Sequence, residues 1–169
     1  MFLDLIALDN HSKVWIYQSK NQMDDDTVRS VNADLRDFLN YWTSHNRQLY
    51  TYGNIFHHRF VTIFVDETHA NASGCSIDKS VHFIESLEQK YGLSLFDREN
   101  VAIMEKQFDE EGEDISTIYT LPLAGLKDAV KEGRINEQTL VFNNLVKTKE
   151  EFLKKWIVPL HQSWHKRFI

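Results

Sequence analysis

The stretch from Asp66 to Asp78 collects side chains able to do chemistry: Asp66, Glu67, His69, Ser73, Cys75, Ser76 and Asp78. Cys75 is the sole cysteine. At the start of a helix its thiol would sit among free backbone N–H groups, which favour a thiolate and attract anions. Nucleophilic catalysis by Cys75, with His69 or His82 as base and Asp66 as a third polar group, is the reaction these residue types allow. The same helix start would present Ser73, Gly74, Ser76 and Asp78 to a small, anionic ligand. The plainer reading of the loop is a tight connection. In it Asn71, Ser73 and Ser76 satisfy backbone groups and Gly74 takes a positive φ.

Familiar catalytic patterns fail on inspection. A C-x5-R phosphatase loop would need arginine where Val81 stands. A G-x-S-x-G elbow is broken in Gly74-Cys75-Ser76-Ile77-Asp78. Ile63-Phe64-Val65-Asp66-Glu67 has the form of a Walker B strand, and Ser73 to Ser80 can be laid over G-x-x-x-x-G-K-[ST]. Ser73 and Asp78 replace both glycines, however, and a carboxylate would repel the phosphates that bare N–H groups must approach. The chain is therefore not a P-loop ATPase, and whether it is an enzyme at all is left open. His57, His58, Asp66, Glu67 and His69 have no H-E-x-x-H or comparable spacing, so neither metal nor cofactor is expected.

Positioning these groups requires strands and helices, and the periodicities supply them. Ser12 to Gln18 is β-branched and aromatic, as strands are. Asp24, Asp25 and Asp26 then cap and charge the start of a helix whose Val28, Val31, Leu35, Phe38 and Trp42 share one face. Arg47 to Asn54 and Arg59 to Asp66 read as strands, the second apolar enough to be central in its sheet. Their turn falls at Gly53-Asn54 or at His57-His58-Arg59. A second helix starts with Ser76 as N-cap and stops at Gly92. Val101 to Phe108 and Ile115 to Leu121 form a hairpin around the acidic tip Asp109 to Asp114. A short helix from Leu123 to Glu132, a strand from Thr139 to Asn143 and a helix from Lys147 to Trp156 complete the order. The expectation is a single α+β domain, residues 1–169, with a mixed or mainly antiparallel sheet of five to six strands and three to four helices.

Several runs carry a resemblance: Val14-Trp15-Ile16-Tyr17-Gln18, Asn71 to Asp78, Val141-Phe142-Asn143-Asn144-Leu145-Val146 and Ser163-Trp164-His165-Lys166-Arg167-Phe168. In these the chain resembles, over nearly its whole length, a family of small uncharacterised Bacteroidetes proteins often labelled "ABC transporter ATPase". The resemblance implies a bacterial protein and supplies no mechanism, and the missing P-loop glycines contradict the label. The acidic tip is longer than the turn the family usually has there.

With 19 Lys and Arg against 25 Asp and Glu the formal charge is −6, which argues against a general nucleic-acid binder. The charge is segregated. Lys147 to Ile169 holds six basic and two acidic side chains, leaving −10 on the rest. Trp156, His161, Trp164, His165 and Phe168 are interleaved with those bases, a composition suited to stacking and phosphate contact. The alternative to a ligand site is therefore a non-catalytic interaction module, for protein or nucleic acid, built on 147–169. A homo-oligomer joining the acidic hairpin of one copy to the basic tail of another is also open. Neither a signal-like N-terminus nor an apolar run of the roughly 20 residues a span needs is present, so a cytoplasmic protein without membrane insertion is expected.

Overall fold

The computed structural model describes residues 1–169. The chain is α+β, with every strand pair antiparallel and the strands divided among three small sheets. Its contacts gather into two compact units, Met1–Asp97 with Lys147–Phe152, and Arg98–Val146 with Leu153–Ile169.

In the first unit β1 (Lys13–Gln18), α1 (Asp25–Tyr41), β2 (Thr43–Ser44), β3 (Arg47–Gln48), β4 (Tyr50–Phe56), β5 (Phe60–Asp66) and α2 (Gly74–Tyr91) follow in order. The main sheet runs β1-β5-β4, which makes β5 central as its apolar sequence requires. Val61, Ile63 and Val65 point into a core shared with Val31, Leu35 and Leu39 of α1 and Ile84 and Leu87 of α2. On the opposite face Phe64 meets Tyr52 and Phe152. Because both faces are covered, all seven residues of β5 are buried and no polar alternation survives. Asp24 caps α1 by accepting the Thr27 N–H at 2.7 Å.

The turn between β4 and β5 is His57 to Arg59, with His57 and His58 at φ 52° and 53°. Gly53 is no turn residue. It lies inside β4 beneath α1, where an added Cβ would stand 2.5 Å from Leu39 Cδ1 and 3.0 Å from both Leu35 Cδ2 and the Thr62 carbonyl. Arg47 and Gln48, expected in that same strand, instead pair with Thr43 and Ser44 in a separate hairpin. Its two turn residues, His45 and Asn46, take φ 47° and 62°, the left-handed pair a two-residue hairpin loop demands.

The second unit holds β6 (Asn100–Glu105), β7 (Thr117–Pro122), α3 (Leu126–Lys131), β8 (Leu140–Phe142) and β9 (Ile157–Pro159), with sheet order β7-β6-β8-β9. A last helix, α4 (Lys149–Lys155), precedes β9. Val101, Ile103, Leu126, Ala129, Val141 and Leu160 form its core. The C-terminal segment supplies core here. Trp156 is buried with its indole N–H on Asn144 Oδ1 at 2.9 Å, and Leu160 is buried too. His165 is buried beside the Ser163 hydroxyl at 2.7 Å, and burial pushes its imidazole down to about 4. No helix is long and apolar enough to cross a membrane.

Candidate functional site

The loop after β5 is built by its own side chains. Asp66 is buried. Its carboxylate accepts the Thr68 hydroxyl at 2.6 Å, the Thr68 N–H at 2.9 Å and the Asp9 N–H at 3.2 Å. Burial by itself would raise this carboxyl. The Thr68 and Asp9 hydrogen bonds, with the nearby His69, outweigh it and hold the group below the ordinary carboxylate value. Glu67 accepts the Ala72 N–H at 3.0 Å and pairs with Lys13 at 2.8 Å. Both acidic groups of the Walker B-like Asp66-Glu67 pair are thus occupied in shaping the loop.

Stability should follow Asp66 in a definite pH window. A depressed carboxyl contributes fully above its unfolded value of about 3.9, and the contribution is lost as pH falls through the lower folded value. Asp66→Asn should therefore lower the urea midpoint at pH 7. The gap to the wild-type chain should close below about pH 4, as urea titrations from pH 7 to pH 2 will show.

Helix α2 begins three residues earlier than the sequence suggests. Ser73, in extended conformation, is the N-cap, its hydroxyl accepting the Ser76 N–H and lying 2.7 Å from the Ser76 hydroxyl. Ser76 is consequently a buried helical residue and not the cap. Its carbonyl accepts the Trp42 indole N–H at 3.0 Å. Gly74 is the first helical residue, does not have a positive φ, and has open space where a side chain would begin. Gly74→Ala should accordingly be tolerated, with stability unchanged or raised by up to about 0.5 kcal/mol in thermal unfolding.

The candidate catalytic side chains are brought together only in part: His69 lies near enough to Asp66 to lower its carboxyl. Cys75 and Asp78 are exposed on the first turns of α2, and Cys75 makes no hydrogen bond to His69, His82 or Asp66. What the loop does form, with the β2–β3 hairpin, is a groove of about 690 Å³. Ser44, His45 and Arg47 line one wall, and Glu67, His69 and Ser73 line the other. The Ser73 N–H donates to Ser44 Oγ at 3.1 Å and ties the walls together. His69 stands edge-on to Tyr50, ring centres 4.7 Å apart. Of the two formally charged side chains in the lining, Glu67 is neutralised by Lys13 while Arg47 has no carboxylate partner.

Of the residues lining this groove, the sequence singles out His69 and Ser73 as candidates and gives no such weight to His45 and Arg47. The available signal was His45-Asn46, two residues tolerant of left-handed backbone, between short polar flanks. No three His, Cys, Asp or Glu side chains gather in a way that could hold a metal ion. No family model, curated protein or solved structure matches this chain.

Proposed function

We propose that the chain binds a small anionic ligand in the groove between the Thr43–Gln48 hairpin and the Glu67–Ser73 loop. One observation carries the reading: Arg47 brings an unpaired guanidinium to a groove whose only carboxylate already has its cation. A planar fork of N–H donors suits phosphate and carboxylate. His45 and His69 flank it as further polar contacts. In this reading Ser73 is a wall and cap residue, Ser76 supports the wall from beneath, and Cys75, Gly74 and Asp78 lie beside the site. Nucleotide hydrolysis, the label of the family that the sequence resembles, gains nothing. Asp66 is committed to Thr68 and Asp9, and Gly74 to Ser80 is helix where a phosphate loop would be. The C-terminal interaction module has less support, since Trp156, Leu160 and His165 are buried.

Titration of the full chain with inorganic phosphate and with citrate, followed through the ring resonances of His45 and His69, tests the proposal. A saturable shift of both rings with at least one anion, weakened about tenfold or more by Arg47→Ala, is the expected result. Shifts that do not saturate, or that Arg47→Ala leaves as they were, would overturn it.

A further inference from the structure

The outer edge of β7 is an open hydrogen-bonding edge, and its residues can be assigned. Ile115 N–H bonds to the Gln107 carbonyl and Leu123 N–H to the Glu99 carbonyl, in register with the pairs Thr117↔Glu105, Tyr119↔Ile103 and Leu121↔Val101. In an antiparallel ladder every second residue bonds to the neighbouring strand. Thr117, Tyr119 and Leu121 therefore bond to β6, and Ile118 and Thr120 turn their N–H and C=O groups outward. The Ser116 N–H is taken by Asp114 at 2.9 Å, and Pro122 has none. Ile118 and Thr120 thus leave two donors in a row at the edge of a four-stranded sheet, with no partner in the chain.

Natural edge strands are usually guarded by a charge, a bulge or a mid-strand proline. This one has no guard of that kind. From Ile115 to Leu126 there is no charged side chain, and the register with β6 is unbroken from Thr117 to Pro122. Charge is instead placed beyond its two ends. The tip Asp109–Asp114 carries five carboxylates before the strand, and α3 follows it with Lys127, Lys131 and Asp128, a net charge of +1, Asp128 being paired with Lys131.

From this edge we infer that β7 pairs antiparallel with β7 of a second copy of the chain. A two-fold axis at Tyr119 sets Ile118 of each copy opposite Thr120 of the other, so all four free N–H groups find carbonyls. Two sheets of four strands become one. The electrostatics select this direction. Parallel pairing would lay two five-carboxylate tips side by side, whereas antiparallel pairing keeps the tips apart and sends each toward Lys127 and the net-positive α3 of the other copy. The inference is independent of the groove, which involves neither β7 nor α3.

Sedimentation equilibrium of the full chain between about 1 and 200 µM, with amide hydrogen exchange at both ends of that range, tests it. The expected result is a dimer at the upper end that dissociates on dilution, with Ile118 and Thr120 amides protected only in the dimer. Thr120→Pro removes one outward N–H and no ladder bond, and Thr120→Lys guards the edge with charge. Either should weaken association about tenfold or more while far-UV circular dichroism is unchanged. The inference is overturned by a wild-type monomer at the highest concentration. It is equally overturned by a wild-type dimer in which those two amides exchange independently of concentration, a readout that stands even where a variant fails to fold.

Discussion

Replacing Gly53 with alanine is expected to lower the unfolding free energy by about 1–3 kcal/mol, read as a fall in urea midpoint. An alanine normally gains a few tenths of a kcal/mol over glycine by restricting the unfolded chain. Here that gain is outweighed. The new methyl would lie 2.5 Å from Leu39 Cδ1, and Leu39 is fully buried, with Leu35 Cδ2 and the Thr62 carbonyl each at 3.0 Å on other sides. The side chain cannot swing into water, and the carbonyl belongs to the central strand of the sheet. Relief must come from moving α1 away from β4 or from forcing Leu39 off its rotamer, and either change disturbs the main core. A second substitution isolates the cause. Leu39→Ala alone should cost about 2–5 kcal/mol through the cavity it leaves. Combined with Gly53→Ala it should cost less than the sum, because the new methyl enters space that Leu39 has vacated. Strict additivity would show that Leu39 is not what the methyl meets.

That glycine also marks where the sequence stops being legible. In the sequence Gly53-Asn54 is a turn signal, equal in weight to His57-His58-Arg59. The choice depends on a helix whose closest approach is set by Leu35 and Leu39, residues well upstream. The elements with local causes were readable: Asp24 and its helix, the almost wholly apolar β5, the stop at Gly92, and the hairpin around the acidic tip. The candidate site was readable only in part, for the same reason. His69 and Ser73 lie in a loop whose composition draws notice, but Arg47 joins them through a hairpin with only two residues per strand, too short for alternation to show. Asp66 looked available because the Asp9 N–H that helps to occupy it comes from the far end of the chain. The Ser76 cap was misplaced because Ser73 and Ser76 both suit the role, and extended geometry at Ser73 decides between them.

Trp42 joins the fold to the groove, and its replacement should have the largest effect of any single change considered. By helical spacing it extends the apolar face of α1, yet it is the residue that ends that helix, buried and in extended conformation. Its ring packs on Phe38 at 5.6 Å and edge-on to Trp15 at 6.4 Å. Its indole N–H reaches the Ser76 carbonyl, and its own carbonyl accepts the Leu49 N–H at 3.2 Å. The hairpin that carries His45 and Arg47 thus starts from a residue bonded to the first turn of α2, whose cap Ser73 is the opposite wall. Trp42→Ala should cost about 3–5 kcal/mol, the range for emptying a large aromatic site. Trp42→Phe keeps most of the packing and removes the donor from a buried carbonyl, so about 1–3 kcal/mol is expected. The phenylalanine variant, still folded, carries the functional consequence. With the Ser76 bond gone, the Ser73 to Ser44 hydrogen bond is left to hold the walls together, and phosphate should shift the His69 ring resonance less at equal concentration. An unchanged phosphate response in a measurably destabilised Trp42→Phe chain would show that the groove holds its shape without this bond. The bond would then serve stability alone, and the spacing of the walls would rest on Ser73 and Ser44.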